Sequence, residues 1–450
     1  MTHLVIIGFD EIVSNKYIDI IEKAILENRI SSYSIIDLKS EEKHIKHRIN
    51  KLKIKPKKEY YLNDKNNREF NINEIDNIFK DILDNNYKVK VYIATELKSH
   101  LFYLNYCISK CYDCLVEKPI FAPRINNIFA PHLIESTMNN LVSESTKNKV
   151  DVSVMTLGRY HPIYNKIILK ELKDNIIKYE SPITSIHLRA AGGVWNLHDE
   201  YLDREDHPYK YGYGMLMHGG YHYIDVFTQI IELNKLLFPN DKLVMNVKTY
   251  GAFPFDQNER ISKKYSNIFD DNKENWKHNN KDIKFGETDI VSVLELRNET
   301  KNNVLTIGTI SLEQTTPSIR FWKEFPPHIY NKNGRISSVD LEVRLSTLYS
   351  IHVNCYDVPE EINNNIEKIG ARSTVVTRSN FNLLKTEKPI TVRNFEGLFH
   401  NLSNKEVMEN WINGEEKRSN LKQHINVMNI LGGLAISLNE NGREVTIALE

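Results

Sequence analysis

Residues 4–13 read LVIIGFDEIV: an apolar run that stops at a glycine, turns through polar residues and enters residues 17–26 (YIDIIEKAIL) at helical spacing. An apolar stretch closed by glycine reads as a buried strand, and apolar residues recurring every three or four read as helix. The alternation repeats along the chain. Residues 33–38 (YSIIDL) make a second strand ending at an acid, 72–83 have helical spacing, and 89–95 (VKVYIAT) make a third strand. Residues 101–108 are helical, and 114–117 (CLVE) form a fourth strand running into Lys118 and Pro119. Strands separated by helices need right-handed crossovers and hence a parallel sheet, which receives ligands at the C-terminal tips of its strands.

Past residue 150 the texture changes. Residues 151–157 (DVSVMTL) and 184–190 (TSIHLRA) alternate in the half-buried, antiparallel manner. Residues 221–232 form a helix with an apolar face, and strands resume at 290–296 and 304–312. A closing helix at 421–438 ends at Asn441-Gly442, before a last strand at 444–449. Residues 256–286 are polar and read as an insertion.

The 450 residues carry 59 Lys+Arg against 59 Asp+Glu, which argues against a dedicated nucleic-acid binder. Hydrophobic residues at 41% suffice for two cores. No apolar run approaches the ~20 residues that span a bilayer, no secretory leader is evident, and four cysteines make no disulfide scaffold. A cytoplasmic protein without membrane or nucleic-acid partners is expected.

Between the first strand and helix, Gly8-Phe9-Asp10-Glu11-Ile12-Val13 stands where a dinucleotide fold places GxGxxG. That fingerprint supplies a tight turn and a bare backbone against a pyrophosphate. Only Gly8 is kept; Asp10 puts a carboxylate at the second position and Val13 fills the third. Asp37, 24 residues beyond Val13, stands about where an acid would bond the adenosine ribose. A plain strand–turn–helix without a nucleotide is the alternative.

Three further stretches carry a resemblance: residues 91–100 (VYIATELKSH), 114–120 (CLVEKPI) and 214–225 (GMLMHGGYHYID). In that order, with 286–291 (GETDIV) and 430–445 (ILGGLAISLNENGREV), they resemble the Gfo/Idh/MocA oxidoreductase family from end to end. The resemblance implies an α/β fold: an N-terminal Rossmann domain at 1–122 and a C-terminal α/β domain at 123–450. The latter would be built on a large open, mostly antiparallel sheet, with added material near 256–286 and 320–420. It implies NAD as cofactor, with NADP possible, and a homodimer or homotetramer. Lys118 matches the family lysine that contacts nicotinamide and substrate hydroxyl, and His222 the usual proton acceptor. Gly8, Phe9, Asp10, Asp37, Thr95, His100 and Glu117 fall at cofactor positions. Three departures stand out: the broken glycine fingerprint, Glu96 in place of proline, and His218 where the family carries aspartate.

These roles suit the chemistry. Oxidising a carbinol sends hydride to the nicotinamide while the hydroxyl proton leaves, so a base must reach that oxygen. Histidine titrates near neutrality, and a neighbouring ammonium stabilises developing alkoxide charge. Trp195, Tyr213 and Tyr221, together with Tyr209 and Tyr211, offer faces for the C–H side of a sugar, core packing being the alternative. Arg159, in Arg159-Tyr160-His161-Pro162 after the 151–157 strand, is a candidate for the substrate pocket or a plain surface charge.

Cys107, Cys111 and Cys114 have CxxxCxxC spacing, but the register puts Cys107 on a helix and Cys114 at the start of a buried strand, which favours ordinary buried thiols over an iron–sulfur cluster. His218 and His222, with His198, His207, Asp199, Asp203 and Asp206 nearby, would need three or four converging ligands for zinc, and Gly219-Gly220 weakens the helix between them. No metal is expected. The basic run 51–58 (KLKIKPKK) reads as a solvated face. The expected function is an NAD(P)-dependent oxidoreductase acting on CH–OH groups of a sugar, amino sugar, cyclitol or similar polyol. Lys118 and His222 are its catalytic residues, with His218 assisting. The alternative is a catalytically inactive relative serving as a binding or assembly module with a degenerate cofactor site.

Overall fold

The N-terminal apolar run is strand β1 (Thr2–Ile7), with five of six residues buried. It lies at the middle of a sheet because it is apolar toward both faces. Along the chain follow β2 (Ser32–Leu38), β3 (Lys58–Leu62), β4 (Lys88–Ile93), β5 (Asp113–Glu117), a short hairpin of β6 (Arg124–Ile125) and β7 (Ile128–Phe129), and β8 (Val152–Met155). The first sheet has the order β3-β2-β1-β4-β5-β8, and every pairing in it is parallel. Helices α1 (Ile18–Leu26), α2 (Glu42–Ile49), α3 (Ile72–Leu83), α4 (Leu97–Ser109) and α5 (Ile134–Lys147) alternate with these strands. The computed structural model describes residues 2–63, 72–83, 88–205, 207–260, 282–317, 338–362, 365–385 and 388–450. Asp206, most of the polar stretch expected at 256–286 and the first part of that expected at 320–420 lie outside them.

The chain divides into two units. One comprises Met1–Pro123, Ser136–His161 and His400–Ile425; the other comprises Arg124–Glu135, Pro162–Phe399 and Asn426–Glu450. The first therefore ends near the boundary expected at residue 122 only for its first segment, and the chain returns to it twice. Residues 151–157 are a correction. Rather than opening an antiparallel domain, Val152–Met155 pairs in parallel with β5 and closes the first sheet, all four residues buried. The buried Ser153 mimics the polar beat of a half-exposed strand. The basic run 51–58 likewise leads into an edge strand, β3.

Helix α9 (His400–Asn413) explains the return. Its Val407, Met408, Trp411 and Ile412 share one core with Leu4, Ile6, Ile21, Tyr33, Ile35 and Tyr92. Lys90 of β4 lies under the end of this helix, its ammonium donating to the Trp411 and Ile412 carbonyls and sitting 5.2 Å from the Trp411 ring. A cation at a helix C-terminus faces the negative end of the dipole. Burial nonetheless pulls its pKa down.

The second unit is built on a nine-stranded sheet. Its strands are β9 (Ser185–Trp195), β10 (Leu243–Ala252), β11 (Asp289–Asn298), β12 (Asn303–Pro317), β13 (Ser338–Leu345), β14 (Tyr349–Ile362), β15 (Asn365–Ser379), β16 (Ile390–Glu396) and β17 (Val445–Leu449), in the order β16-β15-β14-β13-β9-β12-β11-β10-β17. Only β9 and β12 pair in parallel, so the sheet is mostly antiparallel as expected. Among its described helices are α6 (Lys170–Tyr179), α7 (His198–Asp203), α8 (Tyr221–Glu232) and α10 (Ile425–Asn439). In β11, Ile290, Ser292 and Leu294 are buried while Val291 and Val293 stand out on the other face. Glycine is required where Gly433 meets Ile447, whose side chain would lie 2.3 Å from an added Cβ. Helix α10 ends at Asn441 and Gly442, both at positive φ.

Candidate functional site

In the first unit the chain leaves β1 at Gly8, whose φ of +88° belongs to glycine; a Cβ there would lie 2.6 Å from the Ala94 carbonyl oxygen and 2.9 Å from the Thr95 nitrogen. Gly8 thus lets the turn after β1 lie against the tip of β4. Both backbone groups of the buried Phe9 are tied. Its N–H donates to Asp37 Oδ2 at 2.7 Å, and its carbonyl accepts from Arg48 of α2 at 3.1 Å. Asp37 Oδ1 accepts the Leu38 N–H at 2.7 Å. Burial, opposed by these two bonds, raises the pKa of the Asp37 carboxyl. Asp10 does not fill the second glycine position idly: its Oδ1 accepts the Val13 N–H at 2.9 Å and caps the helical segment that follows. That segment begins with a π-helical turn, Val13–Tyr17, before α1.

At the adjoining strand tips, the Thr95 hydroxyl is buried with no hydrogen-bond partner among the described residues. His100 of α4 is buried, and its ring nitrogens lie 2.8 Å from the Pro119 carbonyl oxygen and 2.9 Å from that of Thr95. The ring therefore joins the ends of β4 and β5 through their backbone. The Lys118–Pro119 peptide is cis. Glu117 ends β5 half-buried and accepts a hydrogen bond from the Tyr92 hydroxyl at 2.6 Å; burial pushes its carboxyl up to about 7, against the pull of Tyr92 and Lys118. Gly8, Phe9, Asp10, Asp37, Thr95, Glu117 and Lys118 thus lie in the first unit, in the turns and strand ends where a parallel sheet receives ligands, with His100 on the adjoining helix α4.

Arg159 is neither a surface charge nor in the second unit. It is buried beside residues 415–424, donating to the Arg418 carbonyl at 3.3 Å and the Gln423 carbonyl at 2.9 Å. Its neighbour Tyr160 donates to Glu416 at 2.9 Å.

The remaining candidates gather in the second unit. Where Gly219-Gly220 were expected to weaken the helix, the chain makes a π-helical turn over Leu216–Gly220 that runs straight into α8. Gly220 allows this, since a Cβ there would lie 2.5 Å from Leu312 and 2.7 Å from the Met215 carbonyl oxygen. His218 lies on the turn, buried, its ring edge-on to His207 (5.1 Å), Tyr209 (4.9 Å) and Tyr213 (5.7 Å). His222 and Tyr221 open α8, His222 half-buried and Tyr221 fully buried. Tyr209 accepts from Gln314 Nε2 at 2.7 Å, the Trp195 indole donates to the Gln314 carbonyl, and Arg260 lies over the Trp195 ring at 5.7 Å. Tyr201 packs edge-on to Tyr209 at 5.1 Å and donates to Gln257.

Several residues of these sites were not singled out as site residues by the sequence, and Glu287 is the chief one. It is 4% exposed, accepts the Leu216 N–H at 2.7 Å, and thereby holds the start of the histidine-bearing turn. Burial pushes its carboxyl up to about 7, against hydrogen bonds from backbone N–H groups. The contact depends on two glycines, for a Cβ on Gly214 would lie 2.0 Å from the Glu287 carbonyl oxygen and one on Gly286 2.0 Å from Tyr213. The stretch GETDIV showed an acid but not its use. Tyr92 stood within the strand read at 89–95 without being singled out.

Cys107 and Cys114 are buried and Cys111 is exposed; all are free thiols. Among the described residues no three His, Cys, Asp or Glu side chains converge as metal ligands, and no helix is long and apolar enough to cross a membrane.

No family model and no curated protein sequence matches the chain. Solved structures do match along its whole length. An oxidoreductase domain protein from Kribbella flavida superposes with a TM-score of 0.58 at 10% identity, covering 99% of this chain and 98% of that one. The WlbA dehydrogenase from Bordetella pertussis, solved with NADH and UDP-GlcNAcA, gives 0.54 at 11% identity over 99% and 97%. A myo-inositol dehydrogenase from Corynebacterium glutamicum gives 0.51 at 10% identity over 100% and 99%. Likeness at such low identity speaks for the fold alone, which the chain shares with these solved oxidoreductases and dehydrogenases.

Proposed function

We propose that the chain is an NAD(P)-dependent oxidoreductase acting on a CH–OH group of a sugar, amino sugar, cyclitol or similar polyol. The observation that carries this reading is the turn after β1: Gly8 laid against Ala94 and Thr95, with Asp37 clamping the Phe9 amide. The residues present fit a dinucleotide. A tight glycine turn packed on the tip of β4, a buried Thr95 hydroxyl without a partner among the described residues, and an acid at the tip of β2 are what such a ligand uses. When bound, the nicotinamide would supply hydride transfer. Gly8, Phe9 and Thr95 would line it and Asp37 would accept from the adenosine ribose, favouring NAD because a carboxylate repels a 2′-phosphate. Lys118 would orient and polarise the reacting oxygen, His222 would take its proton, and His218 would bind substrate or assist. Trp195 is the proposed aromatic contact of the polyol, while Tyr213 and Tyr221, both fully buried, take the core-packing alternative; Arg159, spent in part on two carbonyls, supports the first unit as well as any ligand.

Calorimetric titration with NAD+ and NADP+ tests the cofactor. Turnover of Lys118→Ala and His222→Ala on a polyol that the wild type oxidises tests the roles, and undiminished rates would remove them. A second reading, an inactive binding or assembly module, draws on one observation: Asp10 caps the helical segment with its own carboxylate where a pyrophosphate would sit. Flat titrations with both cofactors on folded protein would favour it. As part of the main reading, we place the enzyme in the cytoplasm as a homodimer or homotetramer, paired through the open sheet face where Val291, Val293, Val304 and Ile307 are exposed. Sedimentation equilibrium measures that.

A further inference from the structure

We propose that Tyr92 is a positioning residue of the cofactor site, its hydroxyl setting the place of the Glu117 carboxyl and so coupling the proton on Glu117 to dinucleotide binding. The inference rests on the dinucleotide reading above. Tyr92 and Leu115 are register partners on β4 and β5, so Tyr92 and Glu117, two residues past Leu115, share a face of the sheet. Tyr92 is wholly buried on that face, and its hydroxyl donates to Glu117 Oε1 at 2.6 Å. The tyrosine cannot wander. Its ring meets the buried Tyr17 edge-on at 6.1 Å, and the Tyr17 oxygen accepts from Asn404 of α9 at 3.1 Å. A rod of side chains thus runs from α9 through the core to the acid beside Lys118.

Several charged or polar groups among the described residues face Glu117. Asp10 faces it from the turn after β1, Lys16 from the π-helical turn, Tyr92 from β4, and Lys118 follows it in the chain. Tyr17 faces the same carboxylate from the end of the π-helical turn, and Met155, its register partner on β8, is apolar. Burial holds the carboxyl at about 7, so it changes charge in the physiological range, and the Tyr92 hydrogen bond favours the ionised form. A hydroxyl that donates to a carboxylate also fixes its rotamer, which a phenyl ring of the same shape cannot do.

The test measures NAD+ affinity from pH 5.5 to 9 on the full chain. In the wild type log Kd should show a step near pH 7 that Glu117→Gln flattens. In Tyr92→Phe, which keeps the ring and its packing, the midpoint should move up by about one pH unit, the effect of losing one hydrogen bond to the charged form. Merely structural damage would weaken binding by one factor at every pH, and an unmoved midpoint or a flat wild-type profile overturns the proposal. An infrared titration of the Glu117 carboxyl stretch, assigned by its loss in Glu117→Gln, reads the same coupling without cofactor. If NAD+ fails to bind at any pH, the oxidoreductase reading falls. The infrared midpoint then decides the Tyr92–Glu117 link alone: an upward shift in Tyr92→Phe supports it and no shift refutes it.

Discussion

Glu287→Gln offers a test of how the histidine-bearing turn is held. In the unfolded chain Glu287 would lose its proton at the ordinary value of 4.5, whereas in the folded chain burial delays this to about 7. Between those values the folded state binds a proton that the unfolded state has released, so the stability due to this group is complete below pH 4.5 and drains away as pH rises to 7. At about 1.36 kcal/mol per pH unit, the loss amounts to about 3 kcal/mol by pH 8. Glutamine has the same shape and still offers an oxygen to the Leu216 N–H, but it does not titrate. The variant should therefore roughly match the wild type at pH 5, where the folded Glu287 carboxyl is itself neutral. It should overtake the wild type by about 2 kcal/mol at pH 8. Urea unfolding at half-unit steps of pH, with hydrogen exchange followed over residues 214–220, gives the difference between the two proteins; every other titrating group cancels. A difference that stays constant with pH refutes the claim that a buried, reluctant carboxyl anchors this turn.

Gly8→Ala should cost the first unit about 2 kcal/mol or more, from a positive φ and a Cβ 2.6 Å from the Ala94 oxygen, and should abolish measurable NAD+ binding; thermal unfolding and calorimetry check both. Asp10→Ser keeps an acceptor for the Val13 N–H but removes a charge from the turn, so NAD+ should bind several-fold more tightly at low salt, and unchanged affinity would separate Asp10 from the pyrophosphate position. Asp37→Ser should lower the preference for NAD+ over NADP+, read as the ratio of dissociation constants, and loosen the Phe9 amide in hydrogen exchange. Arg159→Met should destabilise the first unit by about 2 kcal/mol in urea unfolding, because the Arg418 and Gln423 carbonyls lose a buried donor.

Much of the architecture was legible in the chain itself, for a local reason. A strand buried on both faces must be apolar, a crossover helix must show its spacing, and a turn at positive φ asks for glycine; 4–7, 17–26 and Gly8 meet these demands within a few residues. The same locality misled at 151–157, where one buried serine imitated alternation; at Gly219-Gly220 the expected weakening of the α-helix takes the form of a π-helical turn packed against Leu312 and Met215. What only the tertiary structure decided are relations between distant residues. Helix α9 joins the first core from more than 300 residues beyond β4, Arg159 turns inward to the carbonyls of residues 418 and 423, Glu287 reaches the amide of Leu216, and Tyr92 reaches Glu117. None of these leaves a periodic mark, because a hydrogen bond between remote segments needs only one donor and one acceptor, and the fold alone determines which pair meets.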